Sequence, residues 1–412
     1  MTSTLETPTN PLPPGPIDPG PVTRRLGLAE LFSKIRVGAS DRDRHHDIPY
    51  GLVDELKQAG IGALRLPVEA GGHGISLVEL FDVVADLASA DPSIAHALRN
   101  HFGFVENALS LPVVGIRGRL LEETARGTLV FGSYGERTTP TSGDAQADFT
   151  TTVRKQDGQL LLRGEKFYST GNLYADYLVV KGNWETGKPV TVAIPATRVG
   201  IDRTDDWDGI GQRLTGSGST RYFDVIVRDD EVLPEDGPSV DKYEASFAQL
   251  YLTTVIAGIV RSIVADSVEA VNARSRNYFH GQADHPSGEA VVHHTIGQIS
   301  AYSFAVTSAV RAAAQVLDAA VRATDPDERA ELRLAAALDV SNAKVIADEL
   351  AGKAGWLLFE TGGASTTSQS KNLDRHWRNA RTLSSHNPGS YKLRYLGAYE
   401  VNGELPPPIS YF

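Results

Sequence analysis

Phe149-Thr150-Thr151-Thr152-Val153, Leu160-Leu161-Leu162, Tyr177-Leu178-Val179-Val180 and Val190-Thr191-Val192-Ala193-Ile194 form a cluster of alternating or β-branched runs. Gln156-Asp157-Gly158-Gln159 sits between the first two and reads as a hairpin turn. Strands are therefore expected over 128–238, and the period changes on both sides. Upstream, Leu52, Leu56 and Ala59 share one helical face, as do Leu77, Leu80, Phe81, Val84 and Leu87. Gly71-Gly72-His73-Gly74 parts these two helices. Downstream, Ile256, Ile259, Val260, Ile263, Val264, Val268 and Val271 make a stripe. Long helices are expected at about 289–323 and 327–361, with a terminal one near 372–384. The expected class is α+β: a helical domain over 23–127, a small antiparallel β domain over 128–238, and a helical bundle over 239–412.

Residues 1–22 hold seven prolines (Pro8, Pro11, Pro13, Pro14, Pro16, Pro19 and Pro21) and no apolar core segment. That stretch reads as an extended, disordered tail rather than a secretory signal. Thr254 to Ala265 is the most apolar run and is interrupted by Arg261, so no membrane span is expected. The 412-residue chain has 41% hydrophobic and 22% charged residues, ordinary for a globular protein. A net charge of −11 argues against nucleic-acid binding, which needs a basic surface. The absence of cysteine rules out disulfides, iron–sulfur ligation, cysteine-ligated zinc and a thiol nucleophile. It also fits a cytoplasmic location.

Phosphate-loop, G-x-G-x-x-G, H-E-x-x-H and G-x-S-x-G signatures are missing. His45-His46 and His293-His294 lack a third ligand and read as solvated surface, so no metal site is expected. Lys166-Phe167-Tyr168-Ser169-Thr170-Gly171 sets hydroxyls beside a glycine at a strand end, suited to hydrogen-bonding a planar heterocycle. The plainer reading is a strand end with satisfied hydroxyls. Gly211-Gln212-Arg213 with Thr215, Ser217, Ser219 and Thr220 is a similar polar segment, or simply a turn-rich edge.

On these residues the chain resembles the acyl-CoA dehydrogenase superfamily, whose order is helical domain, middle β-barrel domain and four-helix bundle. Gly135-Glu136-Arg137 with Gly143-Asp144 resembles its flavin-side loop, and Arg276-Asn277-Tyr278-Phe279 its R-x-x-F segment. Within it, the likeness is closer to the reduced-flavin monooxygenases of the dibenzothiophene and of the sulfone and sulfinate-assimilation type. Asn100-His101-Phe102, Lys166 to Gly171, Asp205-Asp206-Trp207 with Gly211 to Thr220, and Leu373 to Thr382 running on into Ser385-His386-Asn387-Pro388 carry that likeness. The dehydrogenases commonly place a glutamate after the R-[DN]-A-[KR] helix as base. Laying Arg378-Asn379-Ala380-Arg381 on that helix puts Asn387 at its place. The alternative helix, Leu250 to Ala265, holds no Asp or Glu, and an amide is no general base.

The resemblance implies a two-component monooxygenase. Reduced flavin (FMN favoured, FAD open) and O2 form a C4a-hydroperoxide in a water-excluding site, with a separate NAD(P)H:flavin reductase as partner and a homotetramer as assembly. It implies His101, His386 and Thr170 as catalytic residues. It further implies Ser133, Tyr134, Tyr168, Ser169, Thr170, Arg276 and Arg378 as cofactor-binding residues. His101 and His386 can equally be a core histidine and a helix cap. Trp207 is either a pocket wall or β-domain core. The relatives often have an asparagine in the strand before the turn, where Val130-Phe131-Gly132-Ser133-Tyr134 has none. The substrate implied is a small molecule, an organosulfur compound by the nearest likeness. Hydroxylation of an amine, sugar amine or indole, an acyl-CoA dehydrogenase with another base, and a non-catalytic flavin-fold scaffold remain as alternatives.

Overall fold

The computed structural model describes residues 17–137, 149–234 and 243–407. Gly143-Asp144 and most of the Pro-rich segment lie outside the described residues.

Eight helices come first: α1 (Pro21–Arg25), α2 (Ala29–Arg36), α3 (Ala39–His45), α4 (Tyr50–Gln58), α5 (Leu77–Ala90), α6 (Pro92–Ala97), α7 (Arg99–Ser110) and α8 (Gly115–Ala125). Seven strands follow: β1 (Val130–Ser133), β2 (Thr152–Gln156), β3 (Gln159–Lys166), β4 (Tyr177–Trp184), β5 (Pro189–Pro195), β6 (Ile201–Arg203) and β7 (Thr220–Val227). The chain then returns to helix with α9 (Tyr243–Asn272), α10 (Ala290–Arg322), α11 (Pro326–Glu360), α12 (Arg375–Ser384) and α13 (Gly389–Asn402). The expected order of helix, strand and helix holds, with two differences. The helical stretch around His101 is broken at Leu98 into α6 and α7, and α13 is an additional terminal helix.

The strands form one sheet in the order β1-β4-β2-β3-β7-β6, with β5 also paired to β4. It is mixed rather than antiparallel. β1 and β2 both run parallel to β4, through Val130↔Tyr177 and Thr152↔Asn183. Only the β2–β3 hairpin, β3–β7, β4–β5 and β6–β7 are antiparallel. No pairing closes β6 back on β1 among the described residues.

Helix α5 starts on a capping box, with Ser76 Oγ accepting from Glu79 N at 3.2 Å and Glu79 Oε2 from Ser76 N at 2.9 Å. It crosses α9 closely enough that a side chain on Gly258 would meet Ala88 Cβ at 2.5 Å. Phe81, Phe247 and Tyr251 lock that crossing through tilted and edge-on rings. Arg261, the one charge in the apolar run, donates to buried Asp86 Oδ1 at 2.7 Å, so its burial is compensated across the crossing. Helices α9 and α10 are long and apolar enough to span a membrane, but 83% of the α9 window is buried inside the protein, which makes it a core helix.

The β domain is pinned by a buried ion pair. Lys166 Nζ donates to Glu136 Oε1 at 2.6 Å and stands 4.0 Å from the Phe149 ring centre. Thr150 N and Oγ1 donate to Glu136 Oε2, each at 2.8 Å, and Thr151 N donates to Oε1 at 3.1 Å. This fixes the end of β3 from which the next four residues project.

Candidate functional site

Beyond Lys166 the chain bends sharply. Tyr168 takes φ +55°, and Gly171 takes φ +89°, where a side chain would run into the Phe131 ring and the Ala97 carbonyl. The bend leaves Tyr168 60% exposed, edge-on to Trp207 with ring centres 6.1 Å apart. It turns Ser169 and Thr170 inward, where both are buried. Trp207 is itself held by donating Nε1 to Gly211 O at 3.2 Å.

Thr170 heads a directed chain of hydroxyls. Thr215 Oγ1 donates its only proton to Gln212 O at 2.8 Å. Ser217 must then donate to Thr215 at 2.7 Å, and Thr170 to Ser217 at 2.8 Å. Thr170 thus keeps its lone pairs for a further donor. Gln212, at φ +55°, receives Asn379 Oδ1 on its backbone N–H at 2.6 Å, which joins the β domain to α12.

The side chain of Gln212 reaches His96 on α6, whose Nδ1 donates to Oε1 at 3.1 Å. His96 therefore has a bare Nε2, which is buried and without a protein partner. Burial, with Arg99 nearby, pushes its pKa down to about 3, so it is neutral. Opposite, Arg99 Nη1 donates to His386 Nε2 at 3.0 Å, which puts the His386 proton on Nδ1. Burial, Arg99, His96 and Lys344 hold His386 well below the ordinary imidazole value. As a residue His386 is exposed, beside buried Asn387. The next residue, Asn387, is buried and donates Nδ2 to Gln249 Oε1 on α9.

Ser169 Oγ, His96 Nε2, Gln212 Nε2 and Asn387 Oδ1 are all buried without a hydrogen-bond partner. Each such group costs about 1–3 kcal/mol when left unmet, and folded proteins rarely tolerate several together. Between them they offer acceptors, a donor and a hydroxyl. That donor set fits a planar heterocycle with both N–H and carbonyl edges, such as an isoalloxazine ring.

Several expected site residues stand elsewhere. His101 is a core residue: Nδ1 accepts from Val130 N at 3.0 Å and Nε2 donates to Gly62 O at 3.0 Å, so both nitrogens are spent on backbone. Ser133 is fully buried and takes Asn172 Nδ2 at 3.2 Å and Tyr222 OH at 3.0 Å. Arg378 is consumed by Asp43, Asn372, Asp374 and the Ile210 carbonyl. In all three the polar atoms already close contacts between elements. Tyr134 folds over Gly132 at the surface end of β1, 4.9 Å from Lys181 Nζ. Arg276 is exposed in the segment after α9, away from the recess. His96 went unread in the sequence, although its place five residues before His101 on an apolar helix was a signal.

Carboxylates near this region are bound to cations. A cavity of about 390 Å³ lies between α3, α9 and α12, with Leu214 and Asn379 in its lining. Its Asp266 accepts from Arg375 at 2.5 Å and from His376 Nε2 at 2.8 Å. Burial alone would raise that carboxyl, but the His376 and Arg375 contacts hold it far below the carboxylate range. No group of three or more His, Asp or Glu able to hold a metal occurs among the described residues.

Buried neutral histidines also set a pH dependence of stability. Burial lowers His101 to about 4 and His96 to about 3, while the unfolded chain binds a proton at about 6.5. Below pH 6.5 the unfolded state takes up protons that the folded state refuses, so stability falls as pH drops towards 4. Each of the two is expected to cost about 1.4 kcal/mol per pH unit in that window. Urea midpoints measured from pH 7 to pH 4.5 should show this slope, and His101→Phe should reduce it.

A helical domain, a mixed sheet bearing the recess and a bundle of long helices, in that order, define the acyl-CoA dehydrogenase class of flavoprotein folds. The family model described as acyl-CoA dehydrogenase, N-terminal domain, matches residues 31–111, and that for the C-terminal domain matches residues 250–390. A probable FMNH2-dependent monooxygenase, SfnC of Pseudomonas putida, is 31% identical over 396 residues, covering 93% of this chain and 95% of its own. Methanesulfinate monooxygenase MsuC from Pseudomonas fluorescens superposes with a TM-score of 0.83 at 30% identity, covering 95% of this chain and 100% of its own. FMN-bound TdsC from Paenibacillus sp. A11-2 gives 0.84 at 26% identity, with 94% and 100% covered. The chain belongs to the acyl-CoA dehydrogenase superfamily, in its flavin-dependent monooxygenase branch.

Proposed function

We propose that this protein is the oxygenase of a two-component system: it takes reduced FMN from a separate NAD(P)H:flavin reductase and oxygenates a small organosulfur compound. What supports this over dehydrogenation is Asn387, paired through its amide with Gln249, at the position where the resemblance would set the dehydrogenase glutamate. When bound, reduced flavin supplies two electrons to dioxygen, and one oxygen atom reaches the substrate.

The residues around the recess then have distinct tasks. Thr170 Oγ1, its proton committed to Ser217, accepts from an N–H on the ring edge. Ser169 offers a hydroxyl with no other duty. His96 Nε2 is a neutral acceptor, able to take a hydrogen bond but held too low by burial to take up a proton, and Gln212 fixes its tautomer. Across the recess, His386 holds its proton on Nδ1 under the influence of Arg99. Tyr168 and Trp207 wall the opening against water. Exposed apolar side chains, Phe304 on α10, Trp356 on α11 (74% exposed) and Tyr391 on α13, support a homotetramer built through the bundle. Exposed Arg276 and Phe279 are placed to meet a neighbouring subunit. The absence of cysteine and the dependence on a diffusible reductase support a cytoplasmic setting.

The test is anaerobic mixing of the protein with chemically reduced FMN and then oxygen, in the presence of thioether, sulfone, sulfinate, indole and amine candidates. An oxygenated product from one of them is expected. Anaerobic bleaching of bound flavin by an acyl-CoA, with no oxygenated product from any candidate, would overturn the reading.

A further inference from the structure

Gln212 is a branch point. Its carbonyl accepts from Thr215 Oγ1 at 2.8 Å and so starts the hydroxyl chain that ends at Thr170. Its side-chain Oε1 accepts from His96 Nδ1 at 3.1 Å. The two arms therefore share one backbone, held at φ +55°, a region that residues with a side chain rarely enter. A turn of that backbone to negative φ would carry the carbonyl and the side-chain amide off their partners together. What opposes the turn is the Gln212 N–H, which donates to Asn379 Oδ1 at 2.6 Å, both residues being buried. Without that acceptor a buried N–H would be left unmet in the present conformation, and the backbone would be released to find another.

Asn379 itself stands on a braced support. Its helix α12 is tied to α9 through Arg375 and His376, which both reach Asp266. It is tied to α3 through Arg378 Nη2, which donates to Asp43 Oδ2 at 2.9 Å. Gly211 lies against the same helix, where a side chain would run into the Arg378 carbonyl. The Asn379 oxygen is thus presented from a fixed wall to the one residue from which both arms branch.

We propose that Asn379 is a positioning residue for the oxygenation: acting through Gln212, it keeps His96 and the Thr170 hydroxyl chain in register. This rests on the oxygenase reading above, whose geometry it deepens.

Two readouts test it. One is oxygenated product per folded molecule after a single charge of reduced FMN. The other is imidazole nitrogen NMR of the flavin-free protein, with the His96 signal identified by its loss in His96→Ala. Asn379→Leu, close to asparagine in volume, is expected to lower product by roughly 10-fold, the effect of one lost hydrogen bond, and to mix the His96 tautomers. Asn379→Asp, which presents the same oxygen, should recover most of the product and the single Nδ1-protonated tautomer. In His96→Ala/Asn379→Leu the loss should stay well short of the roughly 100-fold expected of independent sites. A lower melting temperature in Asn379→Leu with wild-type product and one His96 tautomer would make Asn379 merely structural and overturns the proposal. A loss of roughly 100-fold in the double variant overturns it too, as does an Asn379→Asp protein no better than Asn379→Leu. If Asn379→Leu does not fold, Asn379→Ser, whose hydroxyl falls short of the Gln212 N–H, is read by the same criteria. Wild-type protein that yields no oxygenated product defeats the oxygenase reading, while the imidazole spectra still decide the role of Asn379.

Discussion

Replacing His96 by alanine is expected to lower oxygenated product by roughly 10-fold, the weight of one lost hydrogen-bond acceptor at about 1.4 kcal/mol. Three observations set that size. Gln212 fixes the tautomer, burial keeps the ring uncharged, and Nε2 has no protein partner. The loss should fall on turnover and leave FMN affinity nearly intact, because Ser169 and Thr170 are untouched. Product per folded molecule after a single charge of reduced FMN, beside a fluorescence titration of FMN, separates the two. His101→Ala is the matched comparison. It breaks the bonds from α7 to Gly62 and Val130, so it should reduce stability while product per folded molecule stays near the wild-type level. Equal product from His96→Ala and wild type would remove His96 from the chemistry.

Lys166→Met is expected to destabilise the protein by about 3–5 kcal/mol, the range for stripping one partner from a buried ion pair. Glu136 would remain buried without its cation, beside the Thr150 and Thr151 donors. Urea unfolding would report the loss. FMN binding should weaken as well, since Lys166 anchors the strand end that presents Tyr168 to Thr170. The pair has an acid signature too. Burial would raise the Glu136 carboxyl, but Lys166 and the threonine donors hold it at about 2. A depressed carboxylate contributes stability above its unfolded value of 4.5, and that contribution is lost as pH falls through about 2. With Lys166→Met the carboxyl should titrate higher and the acid-induced loss should shrink. A variant as stable as wild type at pH 7 would show that the pair carries no net weight.

The order of domains was legible because each rests on a local period. The stripe from Ile256 to Val271 became α9, and the hairpin at Asp157-Gly158 joins β2 to β3 as its turn chemistry requires. The parallel pairings of β1 and β2 with β4 were not legible, since they depend on which distant strand lies alongside. At the site, neighbours in sequence single out the Lys166–Gly171 segment, His101 and His386 as candidates. They do not single out His96. Five residues on one helix are about 140° apart, so only one can face the recess. Which one is decided by the break at Leu98 and by the carbonyl of Gly62, neither of which a single helical pattern reveals. Ser133 and Arg378 look like ligand-binding residues in any linear reading. Their partners, Tyr222 and Asp43, which tie them into the packing, lie far away in the chain.

Tyr168 and Gln212 both hold a left-handed backbone that glycine or asparagine would adopt at lower cost, by about 1–2 kcal/mol for glycine. Laboratory evolution for heat resistance would therefore be drawn to these two codons first. The gain there would come at the expense of the aromatic wall and the imidazole alignment, so such a library should screen for product yield from its first round.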